Sequence, residues 1–145
     1  MAVQRQARIQ YKAPKPTRDA TPAELHELSG AQYKRPTNLG NFEMYPESAL
    51  RRKEEGLVIV QYTILGTGLV KDAIVVESSG STALDSGVLK ALKRWHYKPI
   101  IIEGRFINRP NLRTAFQFVL APNSCSPDRS VQGGYDLMCV TRFRP

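Results

Sequence analysis

Apolar positions recur at two different periods between residues 57 and 120, and the switches between them mark out the elements. Leu57-Val-Ile-Val-Gln-Tyr-Thr-Ile-Leu65 is dominated by β-branched and aromatic residues, with Val58, Val60, Tyr62 and Ile64 on one face and Gln61 and Thr63 on the other. That pattern predicts a strand. Gly66-Thr67-Gly68 permits a tight reversal, and Leu69-Val-Lys-Asp-Ala-Ile-Val-Val-Glu77 alternates again, placing Val70, Ile74 and Val76 on a common side. The two strands should pair antiparallel. After Ser78-Ser-Gly-Ser81 the period lengthens: Leu84, Val88, Ala91, Leu92 and Trp95 recur at helical spacing, with Lys90, Lys93 and Arg94 outward. Thr82 with Asp85 resembles a capping box, and Pro99 bounds the helix on its far side. A last strand is written in residues 112–120, with Leu112, Thr114, Phe116, Phe118 and Leu120 on one face and Arg113 and Gln117 opposite.

Upstream, Tyr45-Pro46-Glu47 starts a helix over residues 46–55, since proline and an acid both suit the first turn, and Gly56 is expected to supply a left-handed stop. Before it the signal is weak. Prolines in Lys12-Ala-Pro-Lys-Pro16, Thr21-Pro22 and Arg35-Pro36 favour extended chain. The exception is Thr21-Pro22-Ala-Glu-Leu-His-Glu-Leu28, where Thr21 can cap a turn or two of helix. The expected fold class is therefore α+β, two helices packed on a three-stranded antiparallel sheet in the order α-β-β-α-β. The expected division is a flexible, linker-like segment 1–44, a folded domain 45–120 and a C-terminal extension 121–145. So short a sheet has a small core and an open edge, features that favour a partner.

Composition narrows the function. A length of 145 residues suits one core with flanking tails, and no stretch approaches a membrane span or carries an apolar signal core. The net charge of +8 is spread thinly, at +3, +4 and +1 over the three segments. No basic stripe or aromatic recognition motif accompanies it, so a nucleic-acid partner is not expected. Only two histidines exist, His26 and His96, too few for a metal cluster or a histidine-based triad. Gly66-Thr67-Gly68 joins two strands and lacks a third glycine, so it is no dinucleotide fingerprint. Ser78-Ser-Gly-Ser81 could hold an anion, though loop and cap duty is commoner. No catalytic residue, metal ligand or cofactor is expected. Cys125 and Cys139 fit neither a zinc site nor a short redox motif; they either pair in an oxidising compartment or do nothing chemical. As a pair they would stabilise the tail by roughly 3 kcal/mol in the chain-entropy account.

An ordered series runs through the same region: Tyr45-Pro46, Ala49, Glu55-Gly56 before Val58 and Val60, Gly68 before Val70, Ser78-Ser79-Gly80 and Leu84-Asp85. It continues with Ala91-Leu92, Trp95, Tyr97, Pro99, Gly104 and Phe116-x-Phe118. Together these residues resemble the TonB C-terminal domain over about half the chain. The resemblance implies a periplasmic, non-enzymatic module that couples an inner-membrane, proton-driven motor to outer-membrane transporters importing iron siderophores, vitamins or sugars. It also implies the contact: the transporter's N-terminal box peptide adds as a strand beside the last strand, where Arg113, Thr114, Ala115, Phe116, Gln117 and Phe118 offer backbone groups. Tyr45, His96 and Tyr97 are the implied side-chain contacts, with packing as the alternative role for both tyrosines.

The chain departs from the family in places. Phe42-Glu43-Met44 stands where many members carry a Gln-Pro pair, and the tail after Leu120 has no counterpart in the pattern. Of the membrane helix and long proline-rich spacer that usually precede this domain, the sequence shows only a short Lys-Pro run, and the protein is expected to be anchored in the inner membrane, and to reach the motor complex, if a further segment lies upstream. An unanchored adaptor that uses the same edge without reaching the motor is therefore the alternative expectation, alongside an anionic-surface binder acting through its charge. A short open sheet also invites strand exchange between copies, so a homodimer is among the candidate assemblies.

Overall fold

The computed structural model of the protein describes residues 16–28, 30, 33, 35–38, 44–121 and 136–141. The elements in chain order are β1 (Arg18–Asp19), α1 (Pro22–Glu27), α2 (Glu47–Arg51), β2 (Gly56–Ile64) and β3 (Val70–Glu77). They continue with α3 (Thr82–Arg94), β4 (Ile101–Ile102), β5 (Arg105–Val119) and β6 (Asp136–Thr141). The class is α+β, but the arrangement exceeds the expected two helices and three strands. Among the described residues there are three helices and a six-stranded sheet, because short strands are added along β5, where sequence alternation has little length to register in.

The centre of the sheet is β2, antiparallel to β3 on one side and to β5 on the other. Val58, Val60, Tyr62 and Ile64 face the core as their alternation requires, together with Phe116 and Phe118 from β5. Helix α3 covers this face with Leu84, Val88, Ala91 and Leu92. Trp95 follows the helix in extended conformation and is fully buried, its ring 5.7 Å from that of Phe116. A large indole at the point where the chain leaves the helix fixes α3 to the sheet.

The β2–β3 turn needs its glycine. Gly68 has φ +100°, and a Cβ there would lie 2.1 Å from the Tyr97 carbonyl oxygen. The same close approach lets the Gly68 carbonyl accept from the Tyr97 amide at 2.8 Å.

Several local expectations are corrected. In β3, Val70 packs toward the core, yet Ile74 and Val76 point outward while Ala73 and Val75 turn inward. The register against β2 shifts between Gln61 and Thr63, beside Asp72 at φ 55°, and a bulge of this kind reverses the alternation beyond it. Helix α2 has only five residues; Lys53 at φ 56° provides the left-handed stop, and Gly56 opens β2 instead. Ser81, not Thr82, caps α3, its hydroxyl accepting from the Leu84 amide at 3.2 Å. Asp85 turns back to accept from the Ser79 amide at 3.0 Å and from both serine hydroxyls, so the serine-rich loop already encloses an acid where an anion was considered.

The described parts of the segment expected to be linker-like are docked. Thr21 and Glu24 form a capping box on α1, and Arg18 grips Glu24 with two bonds of 2.7 and 2.9 Å. Strand β1 runs parallel to β5 at Ile107 and Asn108. Asn38 donates to the Arg94 carbonyl at 2.7 Å, meeting one of the acceptors left open at the end of α3.

Candidate functional site

Strand β5 has two different halves. Its first part, Arg105–Asn111, pairs with β4 across a two-residue turn of Glu103 and Gly104, both at positive φ, and with β1. A register shift between Tyr62 and Ile64 beside Asn111, at φ 57°, separates this part from the second. Pro110 is tolerated there because the regular ladder is already broken. From Leu112 to Phe118 the pairing with β2 then runs without interruption.

The outer edge of this second half is where strand addition was expected, and the expectation of an open edge is corrected. β6 lies along it in parallel, from Thr114 opposite Asp136 to Val119 opposite Thr141. Met138 and Val140 are 8% exposed and belong to the main core cluster, while Cys139 between them faces solvent. A short strand can enter this ladder because β5 supplies the backbone groups and the core accepts two side chains two residues apart. Missing this strand was a consequence of its length and composition. Six residues with a single acid and a cysteine carry too little alternation to stand out.

The structure sorts the implied contact residues into distinct surroundings. Thr114, Phe116 and Phe118 point inward, so only their backbones could meet a partner. Ala115 is buried on the opposite face beside its β2 partner Ile59. Gln117 is half-buried, whereas Arg113 is exposed and its Nε donates to Gln61 at 2.9 Å.

The tyrosines sit in the core. Tyr45 packs edge-on against Phe118 at 5.2 Å and donates its hydroxyl to the Glu54 carbonyl. Tyr97 joins a buried hydroxyl chain: its oxygen lies 3.1 Å from that of Tyr62, which in turn lies 2.9 Å from Thr114 Oγ1. Burial pushes both of these phenols above their ordinary value and keeps them protonated. This chain of hydroxyls ties the exit of α3 to β2 and β5 directly under the edge that β6 covers. His96 has an exposed side chain, but its backbone is engaged: its amide donates to Asn38 Oδ1 at 3.0 Å and its carbonyl accepts from Thr37 at 2.7 Å.

Sequence reasoning also passed over Arg109. It is 4% exposed, stacks 5.7 Å from the Tyr97 ring and donates Nη1 to the Tyr33 carbonyl at 2.6 Å. Among the described residues, its Nε and Nη2 have no partner. Its position on a strand predicted to start only at residue 112 hid it.

At the far end of β5, an open depression of about 430 Å³ is lined by Glu55, Gly56, Leu57, Gln117, Phe118 and Val119. Glu55 closes its rim by accepting from the Leu120 amide at 2.8 Å. Among the described residues, no group of His, Cys, Asp and Glu is placed to hold a metal, and no helix is long and apolar enough to cross a membrane. Cys139 is disulfide-bonded, and Cys125 lies outside the described residues.

The sheet thus carries one regular ladder, on the second half of β5, backed by an aromatic core and one long helix. Residues 43–120 match the family of the Gram-negative bacterial TonB protein C-terminal, and the chain belongs to that family. It is 42% identical over 55 residues to the protein tonB2 of Pseudomonas aeruginosa, covering 38% of this chain and 20% of that protein. It is 33% identical over 73 residues to the TonB protein of the same organism, covering 50% and 21%. The chain thus spans about a fifth of the length of these curated relatives. Among solved structures, the TonB2 protein of Vibrio anguillarum aligns with a TM-score of 0.50 at 32% identity, covering 63% of this chain and 87% of that one.

Proposed function

We propose that the chain is the periplasmic C-terminal domain of a TonB-like energy transducer. It binds the N-terminal box peptide of TonB-dependent outer-membrane transporters by strand addition, and passes to them work drawn from the inner-membrane proton-motive motor. The observation that carries this reading is the ladder on β5 from Thr114 to Val119, which accepts a parallel strand and seats two of its apolar side chains in the core. Backbone groups give such a contact its affinity while demanding little of the partner's sequence, so one module can serve several transporters. In this reading Arg113, Thr114, Ala115, Phe116, Gln117 and Phe118 act through their main chain. His96 is the side chain left accessible, and Tyr45 and Tyr97 support the strand from beneath. The domain proper is residues 45–120, with 1–44 leading toward the membrane and 121–145 as an extension.

The test is an NMR titration of the whole chain with a synthetic transporter-box peptide at two salt concentrations. Shifts centred on the amides of Thr114–Val119 and insensitive to salt support the reading. Silence at those amides, or diffuse shifts that vanish in salt, would remove it in favour of an unanchored adaptor or of an anionic-surface binder acting through the +8 charge.

A further inference from the structure

β6 shows what the outer edge of β5 accepts. Asp136, Met138 and Val140 alternate onto one face of it and lie opposite Thr114, Phe116 and Phe118, whose side chains point inward. Met138 and Val140 enter the apolar core, and the same alternation turns the half-buried Asp136 inward at the head of the ladder. The surroundings there are polar. Thr114 Oγ1 lies 2.9 Å from the Tyr62 hydroxyl, which lies 3.1 Å from that of Tyr97, and Arg109 stacks 5.7 Å from the Tyr97 ring. Burial is the first cause of the raised pKa of both phenols; Asp136 adds to it and Arg109 opposes it, so the carboxylate and the guanidinium act on the same two hydroxyls. Arg109 is 4% exposed, and among the described residues its Nε and Nη2 have no partner. A buried cation in this condition favours an anion nearby, because its desolvation is otherwise uncompensated.

Resting on the strand-docking reading above, we propose that Thr114, Tyr62, Tyr97 and Arg109 form a subsite at the head of the β5 ladder that reads an acidic side chain. Asp136 serves it while β6 is docked. A partner strand must replace β6, because each backbone group on that side of β5 can pair only once, and it then serves the subsite with its own Asp or Glu. The partner is thereby defined as an extended peptide parallel to β5, with an acid followed by apolar residues two and four positions on. Each of the three hydroxyls can both donate and accept. With a cation at one end and an anion at the other, donation runs in one direction, from Tyr97 to Tyr62 to Thr114 to the acid, and each bond polarises the next. Arg109 is a positioning residue: it orients the hydroxyls and does not touch the partner. An amide in place of the acid leaves the guanidinium without a counter-charge and should bind about ten-fold more weakly. Salt screens a buried arrangement of this kind only weakly, which separates it from attraction by the +8 net charge.

The experiment has two arms on the whole chain. In the first, without peptide, amide hydrogen exchange is followed at Thr114–Val119 in the parent chain, Asp136→Asn, Arg109→Met and the double variant, with the β2–β3 ladder as control. Each single change should speed exchange about ten-fold, and the double variant should exchange no faster than either, since the two groups act through one another. Where Arg109→Met also loosens β2–β3, Tyr62→Phe, which removes one hydroxyl from the middle of the chain, takes its place in the cycle. Additive effects, or no effect, overturn the subsite. In the second arm, two transporter-box peptides that differ only in Asp or Asn, two residues before the first of the apolar pair, are titrated into the parent chain and Tyr62→Phe. The expected result is about ten-fold tighter binding of the Asp peptide to the parent chain, at low and high salt alike, and nearly equal binding to Tyr62→Phe. Equal binding of both peptides to the parent chain, with β5 shifting each time, overturns acid reading and leaves the docking reading intact. A preference that persists in Tyr62→Phe or vanishes in salt also overturns it. A coupled cycle in the first arm with no peptide binding in the second supports the subsite for β6 and removes the docking reading instead.

Discussion

The two outer edges of the sheet solve the same problem in opposite ways. β3 is left without a further strand among the described residues, yet its ladder with β2 shifts register at two places and Asp72 takes a positive φ. These bulges twist the edge and break the even spacing of donors and acceptors that a new strand would need. As a result Ile74 and Val76 can stand 54% and 42% exposed without forming a usable template. The second half of β5 keeps unbroken register from Leu112 to Phe118, and it is the edge that carries a covering strand. An irregular edge is protected by its own geometry. A regular one must be covered, and whatever covers it must be removable if the edge is to bind anything.

That contrast can be tested by perturbing each side. The largest effect is expected beneath the regular edge: Phe116→Ala should cost about 3–5 kcal/mol in urea denaturation, because a fully buried ring between Trp95 and β2 leaves a cavity. Gly68→Ala should follow at about 1–3 kcal/mol, combining a positive φ with a backbone oxygen 2.1 Å from the added carbon. On the bulged side, Ile74→Ala should change stability by no more than about 0.5 kcal/mol and leave peptide affinity unaltered. A loss comparable to that of Phe116→Ala would show that the exposed face of β3 is covered in solution.

The smallest effect concerns pH. Arg18, hydrogen-bonded to Glu24, holds that carboxyl at about 2, below its usual 4.5. A depressed folded value stabilises above the unfolded pKa and is lost as pH falls through the folded one, so α1 should loosen between about pH 4.5 and 2. The amides of Thr21 and Glu24 should report this by NMR while the core stays unchanged.

Long, regularly patterned stretches were legible in the sequence: β2, the inward face of β5 beyond Leu112, and α3 with Trp95 at its exit all follow their periodicity. What was hidden depended on backbone irregularity or on distant pairing. The bulge at Asp72 reversed β3 without any glycine to announce it, and Pro110-Asn111 disguised the first half of β5 as a loop. β6 depends on β5 for its pairing and for the burial of Met138 and Val140, so its own six residues could not declare it. For the candidate site, the resemblance pointed to the edge of β5 but did not announce β6 there, and Tyr45 and Tyr97 take the packing role that was their alternative, because burial is set by the fold rather than by residue type.

If the proposed function holds, the regular half of β5 is the docking ladder. Cross-strand NOEs between a bound transporter-box peptide and residues 1–145 would test this. Contacts from the peptide to Thr114–Val119 in parallel register, with loss of the β5–β6 contacts, are expected. Peptide contacts along β3, or a bound peptide that leaves the β5–β6 contacts in place, would contradict it.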